Sequence, residues 1–239
     1  MSLTLFDKIA NQLSSITKRV ALHLRGDPLA VENLDEYLAI AKLYNLQIEL
    51  TTNSYYLKQN LFDMLLSQPV VQINFSIQSI LANQKLRNIQ NDLDTVFKFC
   101  DYALKFNNRP FINLRLWAMQ DSEIVQNIKA HFNTNSDRLA AKIRLNYAPL
   151  FEWASLNNQV YNDSYCHAPF DQFGILSNGK VVPCCLDKDG IIELGNIKTE
   201  SLKDILSSQR VQIMKSNFKN NIVVEELCKH CSYRLKFDQ

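Results

Sequence analysis

Five of the six cysteines, Cys166, Cys184, Cys185, Cys228 and Cys231, lie in the last third of the chain, and that crowding constrains the fold more than any other feature. Thiolates are strong, soft ligands once a metal lowers their pKa from about 8.5, so a reduced group of them is best used as a metal site. Cys228-Lys229-His230-Cys231 has the C-x2-C spacing that lets two sulfurs of one tight turn meet a single metal or cluster. The remaining ligands are expected from Cys166 and one of the adjacent Cys184 and Cys185, brought in by the fold. A four-thiolate site serves structural zinc or an iron-sulfur cluster. Four-cysteine zinc modules usually carry two C-x2-C knuckles, whereas here the first two ligands are far apart and one is doubled, which favours iron and sulfide. Residues Phe173 to Pro183 read as two short strands around Asn178-Gly179, a hairpin signal that leaves Cys184 just beyond a strand. Cys100, within the helical pattern Phe97 to Leu104, reads as a small core residue.

The first 150 residues alternate between short apolar runs and longer amphipathic ones. Strands are expected at Val20 to Leu24, Gln47 to Leu50, Val70 to Ile77, Phe111 to Trp117 and Ala141 to Tyr147. Helices are expected at Leu3 to Ile16, Leu34 to Tyr44, Tyr55 to Leu66, Ile89 to Phe106 and Asp121 to Phe132. Such alternation predicts right-handed βαβ units and a parallel sheet. Polar residues follow the strands: Gly26-Asp27-Pro28 after the first, Thr51-Thr52-Asn53 after the second, Ser76 to Gln78 at the end of the third. The carboxyl ends of parallel strands are where α/β folds bind ligands, although Asp27 and Asn53 singly are also ordinary turn and cap residues.

With 239 residues and 46% hydrophobic content, the chain suffices for one substantial core plus a small appendage, divided here at 1–155 and 156–239. A net charge of +2, from 26 basic and 24 acidic residues, supplies no field to recruit nucleic acid or an anionic membrane. No apolar run approaches the ~20 residues of a bilayer span, and Asp7, Lys8 and Lys18 interrupt the start, so no signal peptide is read there. The expectation is a cytoplasmic protein, whose reducing surroundings disfavour disulfides.

Leu22-His23-Leu24-Arg25-Gly26-Asp27-Pro28-Leu29, Leu50-Thr51-Thr52-Asn53 and Ile73-Asn74-Phe75-Ser76-Ile77-Gln78 resemble the second, third and fourth strands of radical S-adenosylmethionine (SAM) enzymes. The family's G-G-E-P-L motif stands here as Gly26-Asp27-Pro28-Leu29, with Arg25 for the first Gly and Asp27 for Glu. Cys166-His167-Ala168-Pro169-Phe170, Gly179 through Cys185, Gly195-Asn196 and Cys228-x2-Cys231 are similar to the SPASM domain. The resemblance implies a partial parallel (β/α) barrel lacking its first strand, followed by a small cysteine-rich metal-binding domain. It implies an auxiliary [4Fe-4S] cluster on Cys166, Cys184, Cys228 and Cys231. It further implies SAM contacts from Gly26 and Asp27, with Thr52 and Asn53 on the neighbouring rim and Ser76 near the ribose, and an oxidoreductase acting on a peptide or protein. In such enzymes a catalytic cluster reduces SAM to a 5′-deoxyadenosyl radical that takes hydrogen from the substrate; no residue here identifies that substrate.

The family's catalytic C-x3-C-x2-C motif does not occur in this sequence. The expectation is therefore an N-terminally truncated form starting at the helix after the missing strand. SAM and a second cluster would bind only with that segment restored, and the uncovered edge at Val20 to Leu24 would invite dimerisation. Two alternatives remain: a non-catalytic iron-sulfur electron-transfer or scaffold protein, and a four-cysteine zinc-binding module.

Overall fold

The computed structural model describes residues 1–83, 85, 88–117, 125–126, 128–130, 142–148 and 152–237. The chain divides into two compact units, Ile16–Leu150 and a second formed by Met1–Ser15 together with Phe151–Gln239.

The first unit is built on five strands, β1 (Arg19–Leu22), β2 (Gln47–Thr52), β3 (Val70–Ser76), β4 (Phe111–Trp117) and β5 (Ile143–Ala148). They lie side by side in chain order, and every pairing is parallel. Sequential order without a switch point is the order of a (β/α) barrel, and the sheet here is an open segment of one. Crossovers include α2 (Leu34–Leu43), α3 (Phe62–Leu65), α4 (Ile77–Ala82) and α5 (Ile89–Ala103). Period-two alternation divides the sheet into two faces. Ile48, Leu50, Ile73, Phe75, Ile112, Leu114 and Leu116 are buried on one face. Phe99 of α5 stacks edge-on against Phe75 and Phe62, with ring centroids 5.4 and 4.9 Å away. Cys100 is buried in α5, where its helical pattern places it.

The opposite face is polar. Asn74, fully buried, donates to Glu49 Oε1 at 2.7 Å and accepts from Gln72 and Asn113 at 3.0 and 2.9 Å. Arg19 pairs with Glu49 at 3.1 Å, and Arg115 stands 4.0 Å from the same carboxylate.

All five strands form close to where the apolar runs predict. The helices differ more. In place of a helix over Tyr55 to Leu66 there is a loop, a 3-10 turn at Gln59–Leu61 and the single turn of α3. Ser54 takes a left-handed φ of 63° and Asn53 Oδ1 accepts from the Tyr55 N–H at 2.9 Å, so the chain turns before helix can start. The helix α1 covers Leu3–Leu13 and stops short of Ile16, where Ser14 and Ser15 hydroxyls bond back to Asn11 O and Gln12 O. The helix expected at Asp121 to Phe132 lies mainly outside the described residues.

In the second unit, α1 buries Leu5, Phe6, Ile9, Ala10 and Leu13. It packs on α7 (Leu202–Ser207), whose first N–H donates to Gln12 Oε1 at 2.7 Å. Lys8 Nζ reaches Lys198 O at 3.2 Å. The first fifteen residues thus group with the cysteine-rich segment rather than with the strands that follow them. That segment adds α6 (Ala168–Asp171), α8 (Gln209–Lys219) and α9 (Glu226–Lys229). It also holds an antiparallel sheet of β6 (Gly174–Ile175), β7 (Lys180–Val182) and β8 (Gly195–Asn196).

Candidate functional site

The hairpin expected at Asn178-Gly179 forms, with its left-handed residue at Gly179 alone. Gly179 N–H donates to Leu176 O at 2.9 Å, Leu176 N–H to Lys180 O at 2.9 Å, and Gly179 has φ +91°. A tight turn followed by one left-handed glycine is the bulged hairpin, in which Asn178 serves through its side chain, accepting from the Lys180 N–H at 3.1 Å. Val181 and Val182 are buried, which anchors the strand that delivers Cys184. Beyond it the buried carboxylate of Asp187 accepts from the Ile191 and Ile192 N–H groups at 2.8 Å each and sets the loop.

Cys228 sits in α9 and Cys231 just after it, the turn closed by Cys231 N–H to Cys228 O at 3.2 Å. The segment before Cys166 is laced to this turn. Tyr161 N–H donates to Lys229 O at 2.9 Å, and His230 Nδ1 lies 2.9 Å from Gln159 O. The buried Arg234 binds Cys228 O and Tyr161 O, each at 2.9 Å, together with Asn162 O and Ser164 Oγ.

These elements carry Cys166, Cys184, Cys228 and Cys231, and the Cys228 thiol feels the other three. Burial, and then the nearby thiols Cys184, Cys231 and Cys166 in that order, push Cys228 well above its usual value. Burial likewise pushes Cys184 up to about 12, with Cys185 and Cys231 adding to it while backbone N–H groups of Leu186 and Asp187 oppose it. Cys166 is raised by burial and by Cys231, against the Ala168 N–H and the Arg234 charge. Cys185 is half-buried beside Cys184. None of the six cysteines forms a disulfide. Among the described residues no three His, Cys, Asp or Glu side chains gather tightly enough to hold one metal ion. Four thiols suit an iron-sulfur cluster, and backbone N–H groups directed at the sulfurs of Cys166 and Cys184 are of the kind that stabilises cluster ligands.

At the carboxyl ends of the parallel strands, Asp27, Thr52 and Asn53 meet directly. The Asp27 carboxylate accepts from Leu29 N–H at 2.9 Å, Thr52 Oγ1 at 2.9 Å and Asn53 N–H at 2.8 Å. Gly26 lies beside it with φ +91° and open space where a Cβ would stand. Ser76 ends β3, with its register partner Arg115 on β4, and makes no capping bond to α4. Sequence reasoning passed over Arg234, Asp187 and the Glu49, Asn74, Asn113 network. Charged and amide residues are ordinarily exposed, and only the alternation along β2 to β4 hints that these three share a face.

Residues 166–232 match the family model of the SPASM domain, an iron-sulfur cluster-binding domain. No curated protein matches the chain. Among solved structures, BtrN in complex with AdoMet and 2-DOIA is similar, with 17% identity and a TM-score of 0.58 over 97% of this chain and 80% of that one. Streptococcus suis SuiB bound to S-adenosylmethionine has 14% identity and a TM-score of 0.62 over 100% and 67%; SuiB is also known bound to the precursor peptide SuiA. AnSMEcpe with bound AdoMet has 14% identity and a TM-score of 0.51 over 98% and 77%. Residues 166–232 thus carry an iron-sulfur cluster-binding SPASM segment, and the chain shares the fold of these structures over nearly its whole length.

Proposed function

We propose that the protein is an iron-sulfur oxidoreductase of radical SAM/SPASM type acting on a peptide or protein, with an auxiliary [4Fe-4S] cluster on Cys166, Cys184, Cys228 and Cys231. The observation that carries this is the match of residues 166–232 to an iron-sulfur cluster-binding domain, supported by the influence of Cys166, Cys184 and Cys231 on the Cys228 thiol. Zinc requires four sulfurs about 2.3 Å from one point, whereas a cluster spreads its ligands over separate irons. When bound, it supplies a one-electron acceptor or relay. The N–H groups of Ala168, Leu186 and Asp187 stabilise the thiolates that hold it.

In this reading Gly26, Asp27, Thr52, Asn53 and Ser76 line the SAM side of the sheet. The Asp27 carboxylate is engaged by three neighbours, so its part is to hold the two loops, leaving the open side of Gly26 for ligand approach. A peptide substrate accords with the peptide seen on SuiB. The polar face around Glu49, Asn74 and Asn113 offers hydrogen-bonding groups of the kind a peptide uses. A cytoplasmic setting accords with the reduced cysteines, and no described helix is long and apolar enough to cross a membrane. Dimerisation through β1 belongs to the same reading, since among the described residues β1 pairs with β2 on one side only.

Beyond these four, Cys185 adjoins a proposed ligand and Cys100 is buried in α5, so this chain's residues do not fit a second, catalytic cluster. That cysteine count favours, as a second reading, an electron-transfer or scaffold protein. Visible absorption and iron content after anaerobic purification test the cluster, a colourless zinc protein being the contrary result. Calorimetric titration with SAM separates the enzyme reading from the scaffold reading.

A further inference from the structure

Arg234 is the largest fully buried side chain among the described residues. A guanidinium cannot shed its proton, so the charge is buried with it. All four of its partners are neutral oxygens: Cys228 O, Tyr161 O, Asn162 O and Ser164 Oγ. Among the described residues no carboxylate pairs with it. A buried cation without an anionic partner is strongly unfavourable, and hydrogen bonds to carbonyls offset only part of that cost. The place of this charge is informative. It touches the backbone of one cysteine of the C-x2-C turn and holds that turn against the segment leading to Cys166.

We propose that Arg234 is a positioning residue that supplies the fixed counter-charge of the C-terminal cluster. The inference rests on the iron-sulfur reading above. A cluster held by four thiolates is a net anion, and it supplies the negative charge that none of the guanidinium's described partners carries. One-electron reduction by an external donor deepens the negative charge, so a fixed cation beside it favours the reduced form and raises the midpoint potential. The coupling runs the other way as well. When the cluster is lost its negative charge goes with it, and the clamp between Tyr161–Ser164 and Cys228 loosens.

The test uses the full chain, loaded anaerobically, as wild type, Arg234→Gln and Arg234→Lys. Dithionite titration followed by visible absorption should show a lower midpoint potential for Arg234→Gln and a value near wild type for Arg234→Lys, which keeps the charge. Trypsin should cut wild type after Arg234 about tenfold faster in the metal-free form than in the loaded form, because cleavage tracks the open population. Equal potentials in wild type and a fully loaded Arg234→Gln would overturn the counter-charge. Equal resistance of metal-free and loaded wild type would overturn the coupling, and this arm decides the matter if Arg234→Gln does not fold. A wild type that takes up no iron overturns the iron-sulfur reading itself, and this inference with it.

Discussion

Thr52 Oγ1 stands 2.9 Å from each carboxylate oxygen of Asp27, and this contact joins the loop after β1 to the end of β2. The same carboxylate holds the Asn53 and Leu29 N–H groups, so one side chain fixes two adjacent loops on the ligand-binding rim. Asp27→Ala leaves these donors without their acceptor and should cost about 1–3 kcal/mol. Asp27→Asn keeps an acceptor oxygen and should cost less. Urea denaturation curves of the three proteins check the order.

Cys228→Ala and Cys231→Ala should each abolish the chromophore and expose the C-terminal segment to protease while the parallel sheet survives. Metal-binding energy in small cysteine-rich segments is largely folding energy. Limited proteolysis with mass spectrometry reads the outcome; fragments no different from the loaded parent would show that the site is not structural.

Metal-free protein should lose stability above about pH 9. Burial raises Cys184 to about 12 from its usual 9.0 and raises Cys228 as well, so the folded chain retains thiol protons that the unfolded chain releases. The folded state then binds more protons, and its stability is full below the unfolded value and falls as pH rises toward the folded one. Denaturation midpoints measured at about pH 8 and about pH 10.5 should differ for the metal-free chain, less so for Cys184→Ser, and least for the loaded protein, whose sulfurs are ligated.

Iron analysis after anaerobic reconstitution should give about four irons per chain, one cluster's worth. The cysteines outside the proposed site do not make up a second ligand set, so the chain as it stands should release no 5′-deoxyadenosine from SAM under dithionite. Iron for two clusters, or such release, would place the catalytic centre elsewhere.

Gly179→Ala should destabilise the cysteine-rich unit by more than about 1–2 kcal/mol, the cost of a left-handed non-glycine residue. The added methyl also stands 2.7 Å from Asn196 Oδ1 on β8, so strain and clash combine. Loss of iron on dilution at moderate temperature, compared with wild type, measures it.

The parallel sheet and the hairpin were legible in the residues alone, as was the C-x2-C spacing. Apolar runs of strand length at β/α spacing admit few other packings, and C-x2-C spacing with an Asn-Gly turn is local chemistry that needs no distant partner. Helix length was less legible, because Asn53 and Ser54 divert the chain through a side-chain bond and a left-handed residue that periodicity does not register. Only the tertiary structure decided that α1 joins the cysteine-rich unit, since an amphipathic helix specifies an apolar face and not which surface will cover it. It likewise decided that Arg234 is buried against Cys228 and Tyr161. A charged residue is exposed by default, and the reversal depends on the Tyr161 and Asn162 carbonyls, some seventy residues away, that only folding brings to it.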